Sequence, residues 1–218
     1  MRSFQNLLVL QNLYRLKSVG FEYIDPIVIN HKNDGDLPDD MGMLNTLIDR
    51  CHLCDLSKSR HQSLGGYGDI SAKLMVIDAF VSMADDEGGS YFLGRSGQSL
   101  KMMVENVLQL SIDEIFYTHC VKCKPLGMQK PSNSEIMSCK PYLFKQIELV
   151  KPKIIIALGE EVYQMLTGDN TAFEQVRGHR INYADALLIP IYHPSFLLKN
   201  PSFKSATMHD LKAIKALM

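Results

Sequence analysis

Four cysteines constrain this 218-residue chain more than any other feature: Cys51-His52-Leu53-Cys54 and, far downstream, Cys123 and Cys139. A C-x-x-C pair puts two thiolates within reach of one metal centre, and two more from a later segment complete a four-thiolate shell. The long loop between them is then closed by metal rather than by a disulfide. The chain opens on Met1-Arg2-Ser3-Phe4, an amphipathic stretch rather than a charged segment followed by an apolar run and a cleavage site, so a cytoplasmic, reducing setting is the expectation. In that setting such cysteines read as metal ligands before they read as cross-links. Spacing alone fits either Zn²⁺ or an iron–sulfur cluster.

The hydrophobic content of 46% and charged content of 22% predict a buried core rather than general disorder. No apolar run approaches the roughly 18 residues of a membrane-spanning helix, so no membrane partner is expected. A net charge of −1 neither demands nor excludes a polyanion. Any basic footprint is local: Lys122, Lys124 and Lys130 flank Cys123, with Arg95, Arg177, His179 and Arg180 elsewhere.

Residues 1–40 read as an appendage. Apolar side chains recur at helical spacing from Phe4 to Ser18, and His31 to Asp40 is a polar, turn-rich linker. The helix packs on its own domain or on a protein partner. Residues 41–218 alternate strands and helices. Lys73–Phe80, Glu114–Cys120, Lys153–Leu158 and Ala186–Tyr192 read as strands. Gly97–Leu110, Ser132–Val150, Gly159–Leu166 and Phe203–Met218 read as helices, with Ser132 and Glu135 at capping-box spacing. This alternation predicts an α/β fold with a parallel sheet covered on both faces. Ligands bind beyond the carboxyl ends of such strands, here near Asp78, Ala79 and Phe80, near His119, and near His193.

Several signatures occur in order: Cys51-x-x-Cys54; Gly89-Ser-Tyr-Phe92-Leu-Gly94-Arg-Ser-Gly97; Tyr117-Thr-His-Cys-Val-Lys-Cys123-Lys-Pro125; Cys139-x-Pro-Tyr-Leu143; Leu158-Gly159; Arg177-Gly178; and Tyr192-His193-Pro194-Ser195-x-Leu197-Leu198. With these, the chain resembles the uracil-DNA glycosylase superfamily, most closely its iron–sulfur family 4, from about Cys51 to the C-terminus. The resemblance implies a three-layer α/β/α fold with a central four-stranded parallel sheet. It also implies a [4Fe–4S] cluster on Cys51, Cys54, Cys123 and Cys139, and a DNA partner, single-stranded or duplex and damaged or not. Cys120 is left over and reads as a small hydrophobe on a strand.

Excising a base needs a flipped nucleotide, a pocket that reads it, and a way to hold negative charge as the base leaves. By the resemblance, Phe92 is the stacking aromatic and His193 the histidine of the leaving-group loop. Ser195 begins the segment that enters the groove, while Lys122, Lys124 and Arg95 meet phosphates. Two parts of the family pattern are replaced. Its Gly-Glu-x-Pro-Gly stretch is Asp78-Ala79-Phe80-Val81-Ser82, with Ala79 at the glutamate, and Phe80 is positioned to fill space. Its second-strand asparagine is His119, whose two nitrogens point apart and cannot reproduce paired bonds to a uracil edge. Asp85 remains as a carboxylate able to orient water, although an acidic Asp85-Asp86 loop is commonly just solvated. Each loss costs roughly 10²–10³ in rate. Two readings follow: a DNA-binding repair protein whose ordinary uracil excision is lost or much reduced, or an active glycosylase of altered base preference. The second uses His193 with His119 as base reader or nucleophile. A free-nucleotide binder is a third.

Overall fold

The computed structural model describes residues 37–127 and 129–218. Six strands form one sheet: β1 (Tyr67–Gly68), β2 (Leu74–Phe80), β3 (Phe116–Val121), β4 (Ile154–Leu158), β5 (Ile181–Tyr183) and β6 (Ala186–Ile191). Their spatial order is β1-β3-β2-β4-β6-β5. The inner four, β3, β2, β4 and β6, are mutually parallel, as the alternation of elements predicts. The sheet is wider than the expected four strands. β1 runs antiparallel to β3 along one edge, and β5 antiparallel to β6 along the other. Both edge strands span two or three residues, too few to show a period-2 hydrophobic pattern.

Side chains alternate across the strands and divide the core in two. Met75, Ile77, Ile155 and Ala157 point to one face, where α1 (Met41–Asp49), α4 (Asn133–Val150) and α5 (Gly159–Thr167) bury Leu44, Leu143 and Val162. Leu74, Val76, Ile154 and Ile156 point to the other, against Leu100 of α3 (Arg95–Met103) and Leu211 and Ile214 of α8 (Lys204–Lys215). Every residue of β3 and β4 is buried; β4 reads as an unbroken apolar run, whereas β3 buries Thr118 and His119 among its β-forming residues. Three short helices complete this part of the chain: α2 (Met83–Gly88), α6 (Phe173–Val176) and α7 (Pro194–Lys199).

Local signals set several boundaries. Glu135 N donates to Ser132 Oγ and Ser132 N to Glu135 Oε2, so the expected capping box forms at the start of α4. Asp40, read as linker, accepts from Met43 N at 2.7 Å and caps α1. The helix expected over Gly97–Leu110 keeps regular geometry only to Met103. Val104–Leu108 then widens into a looser turn that ends at Gln109, φ 57°. Leu37–Met218 form one unit. The amphipathic stretch Phe4–Ser18 lies outside the described residues.

One buried polar network joins α4 to the sheet. Lys122 is 1% exposed, and its Nζ donates to Thr118 Oγ1, His119 O and Gln146 Oε1 at 2.5–2.6 Å. Gln146 Nε2 donates to Gly65 O at 2.5 Å. Burial pulls the Lys122 ammonium down to about 8, which leaves it charged at neutral pH. Gln146→Leu should therefore remove one of the three acceptors of a buried cation and one of the two donors to Gly65 O, and cost about 2–4 kcal/mol. Urea unfolding should show this as a lower midpoint at an unchanged slope. A loss under ~1 kcal/mol would show that the network contributes little.

Candidate active site

The carboxyl ends of the four parallel strands open into a cavity of about 670 Å³. Asp78 enters it from the end of β2, His119 from β3, Gly159 from the β4–α5 turn and His193 from the loop after β6. Gly159 adopts φ +86°, and a Cβ there would lie 3.2 Å from the Cβ of His193. Its missing side chain lets the His193 loop close onto β4.

Asp78 is the hub. Its Oδ1 lies 3.0 Å from His193 Nε2 and accepts from Ala79 N at 2.7 Å, while its Oδ2 accepts from the Tyr117 hydroxyl at 3.0 Å. Burial pushes this carboxyl up, but the charge and hydrogen bond of His193 prevail and pull it down to about 2. Burial likewise opposes charge on His193, and Asp78 outweighs it, so His193 is raised above its ordinary value. Ser195 N donates to His193 Nδ1 at 3.1 Å, which leaves the proton of the neutral ring on Nε2, facing Asp78. A second proton, on Nδ1, would displace the bond from Ser195 N and find Ser195 Oγ at 2.7 Å instead.

His119 is of another kind. It is 1% exposed, Tyr91 stacks over it at 6.1 Å, its Nε2 is 3.2 Å from the Tyr117 hydroxyl, and its Nδ1 has no partner. Burial pulls it down to about 4, so it is neutral near pH 7. Neither nitrogen is free to read a base or attack a sugar in this arrangement.

The remaining expected site residues fall into two groups. Ala79, Phe80, Asp85, Arg95 and Ser195 line the cavity, with Arg95 exposed at its mouth. Asp85 is not solvated. It is buried, and its Oδ1 accepts from Leu93 N at 2.8 Å, which ties down the loop carrying Phe92. Asp86 beside it accepts from His61 N and Gln62 N and pairs with Lys124 Nζ at 3.2 Å. Lys124 is therefore committed inside the protein. Lys122, expected to meet phosphate, is buried in the network with α4 and cannot reach DNA. Phe92 is in the core, not on the cavity wall. It packs on Tyr117 at 4.7 Å, in a turn (φ 63°) held tight by Gly97, where a Cβ would come 2.5 Å from its Cα. The aromatic wall is instead Phe80, Phe173, Tyr192 and Phe196, the last two stacked at 4.9 Å. Tyr117 was missed because it reads as one more apolar strand residue. Its i, i+2 relation to His119, on a strand where His119 pairs in register with Asp78, was the available signal.

On the far side of β3, Cys51, Cys54, Cys123 and Cys139 line one small cavity with Arg60 and Tyr142. All are free thiols. Arg60 Nη1 donates to Cys123 Sγ at 3.0 Å and Lys122 N to Cys139 Sγ at 3.3 Å, contacts that would stabilise these sulfurs as metal-bound thiolates. Burial pushes the Cys123 thiol up to about 11, a cost that bound metal would offset. Among the described residues, no group of three or more His, Cys, Asp or Glu is arranged to hold a single metal ion. The four cysteines surround a shared space and do not meet at one point.

Residues 66–213 match the family model of the uracil DNA glycosylase superfamily. The chain belongs to that superfamily. It is 30% identical over 175 residues to a type-4 uracil-DNA glycosylase of Sulfurisphaera tokodaii, covering 77% of this chain and 80% of the relative. The type-4 uracil-DNA glycosylase of Saccharolobus solfataricus is 30% identical over 185 residues, 81% of this chain and 86% of its own. That of Thermotoga maritima is 25% identical over 182 residues, 82% and 94% respectively. Among the described residues, no helix of this superfamily member is long and apolar enough to cross a membrane.

The pair of histidines gives a signed pH test. His193 should titrate above the ordinary histidine value near 6.5. Its contribution to stability is complete below 6.5 and is lost as pH rises through the folded value. His119 should titrate at about 4, so acidification from 6.5 to that value should destabilise the fold. Asp78→Asn should lower the His193 midpoint by NMR, because burial is then opposed only by the weaker charge of Glu161. A midpoint that stays high would show that Asp78 is not the cause.

Proposed function

We propose that this chain is an iron–sulfur DNA glycosylase that hydrolyses N-glycosidic bonds with Asp78 and His193, and that its excision of uracil is much reduced. The observation that carries this reading is the 3.0 Å Asp78–His193 pair set in an open cavity at the carboxyl ends of the strands. Ala79 lacks the carboxylate of the family motif, but Asp78, one residue earlier, faces the same space. A carboxyl held at about 2 is a poor general base. It serves as a fixed negative charge beside the sugar as that becomes cationic, and as an acceptor for the water that adds to C1′. As the bond to C1′ breaks, its electron pair leaves with the base. His193 supplies positive charge that stabilises the departing anion while its Nε2 proton stays on Asp78, and the proton shed by the attacking water neutralises the freed base.

Reduced preference for uracil follows from His119. An asparagine there offers a donor and an acceptor side by side, whereas His119 commits Nε2 to Tyr117 and seals Nδ1 from the cavity. A uracil edge loses its paired partner at that strand.

Cys51, Cys54, Cys123 and Cys139 would hold a [4Fe–4S] cluster. The cluster would act as a structural clasp between the α1 end and the segment after β3. DNA would meet Arg95 and the exposed Phe196 and Leu198 of α7, 36% and 45% accessible. Residues 1–40 are assigned as an appendage to the catalytic body of 41–218 and as its docking element for a protein partner, in a cytoplasmic setting.

Cluster-loaded protein should be incubated with single-stranded and duplex oligonucleotides carrying uracil, hypoxanthine or xanthine, then cleaved with alkali. At least one base should be released, and His193→Ala and Asp78→Asn should each lower the rate by roughly 10²–10³. Full activity in either variant, or release of uracil as the preferred base, would refute the assignment. Iron and sulfide analysis should find four of each per chain, and Cys51→Ala should lose the brown colour and stability together. A colourless wild type would remove the cluster from the account.

A further inference from the structure

Tyr117 and His119 are unexplained by the proposed chemistry: one is a buried phenol and the other a buried imidazole with an orphan nitrogen. The proton inventory of Asp78 and the three side chains linked to it assigns them a role. The Asp78 carboxylate is ionised and can only accept, so the single proton of Tyr117 goes to Asp78 Oδ2, 3.0 Å away. The phenolic oxygen has then no proton left for His119, whose Nε2 lies 3.2 Å off. His119 must be the donor of that contact. A neutral ring with its proton on Nε2 has a bare Nδ1, which is the buried atom that lacks a partner. The chain of donors runs in one direction, from His119 through Tyr117 to Asp78, and meets the proton of His193 on Oδ1.

We propose that Tyr117 and His119 form a support that fixes the Asp78 carboxylate against His193, which makes both of them positioning residues for hydrolysis at this site. With Ala79 N and His193 on Oδ1 and Tyr117 on Oδ2, the carboxylate plane cannot turn, and one acceptor direction on Oδ2 remains for water. Tyr117 is itself fixed, because its ring packs on Phe92 at 4.7 Å and against His119 at 5.0 Å. Tyr91 closes over His119, so solvent cannot compete for the tautomer. Two residues placed side by side on one face of β3 thereby orient a group on β2. The catalytic half of this proposal rests on the glycosylase reading, whereas the support itself does not.

Histidine ¹⁵N NMR on the cluster-loaded full chain separates the two. At neutral pH His119 should show a protonated Nε2 and a bare Nδ1. Tyr117→Phe keeps the packed ring and removes only the oxygen. It should move the Nε2 signal of His193, as should His119→Leu, whereas His119→Gln, whose amide restores a donor, should move it least. A His119 protonated on Nδ1, or a His193 signal indifferent to Tyr117→Phe, would overturn the support. On whichever base the wild type excises, Tyr117→Phe and His119→Leu should each lower kcat roughly ten- to a hundredfold with little change in KM, and the double variant should lose no more than one of them. Unchanged kcat in Tyr117→Phe would overturn the positioning role. If the wild type releases no base, the glycosylase reading fails and the NMR result still decides the support.

Discussion

A carboxylate buried where four parallel strands end is the constraint around which this site is built. Asp78 sits at the end of β2, between β3 and β4, in surroundings that disfavour its charge. It is nonetheless ionised, because the strand ends and the loop after β6 deliver three donors to it within hydrogen-bond reach. Register supplies one of these arrangements directly, since Asp78 pairs with His119 and Tyr117 lies two residues earlier on the same face. The other comes from the turn at Gly159, which lets His193 approach.

The opposite face of β3 has a matching polar problem with a different answer. Lys122 is as buried as His119, and Thr118, Gln146 and the backbone of His119 absorb its three protons. The same strand leads into Cys123, and Lys122 N donates to Cys139. The network therefore fixes the segment that carries Cys123 against the helix that carries Cys139, and it does so with a charge that can no longer serve as a phosphate contact. Lys124 is spent likewise on Asp86. Of the basic run around Cys123, Lys122 and Lys124 are structural, which leaves the cavity with Arg95 and Lys130, the latter paired to Glu161, as its exposed cations.

Legibility in the sequence followed the physics of each element. The four inner strands and the capped helix α4 were readable, because β2 and β4 are short apolar runs, β3 is rich in β-forming residues, and the Ser132–Glu135 box is a local interaction. β1 and β5 were not, because two or three residues carry no periodicity, and their pairing depends on partners distant in sequence. Among site residues, His193 and the four cysteines stood out by spacing and motif. Phe92 did not behave as its motif suggests, since its conformation is set by Gly97 and the Asp85–Leu93 bond, and these turn the ring into the core.

By itself the sequence determined the order of the four inner strands and the main helices, the covering of that sheet on both faces, the grouping of cysteines from two segments and the family to which the chain belongs. All of these are encoded in local pattern, in period and in spacing along the chain. Only the tertiary structure decided which charges remain available and which are consumed. Whether Lys122 meets water or Gln146, and whether His119 reads a ligand or orients Tyr117, depends on what the fold brings within about 3 Å. A one-dimensional pattern does not carry that distance.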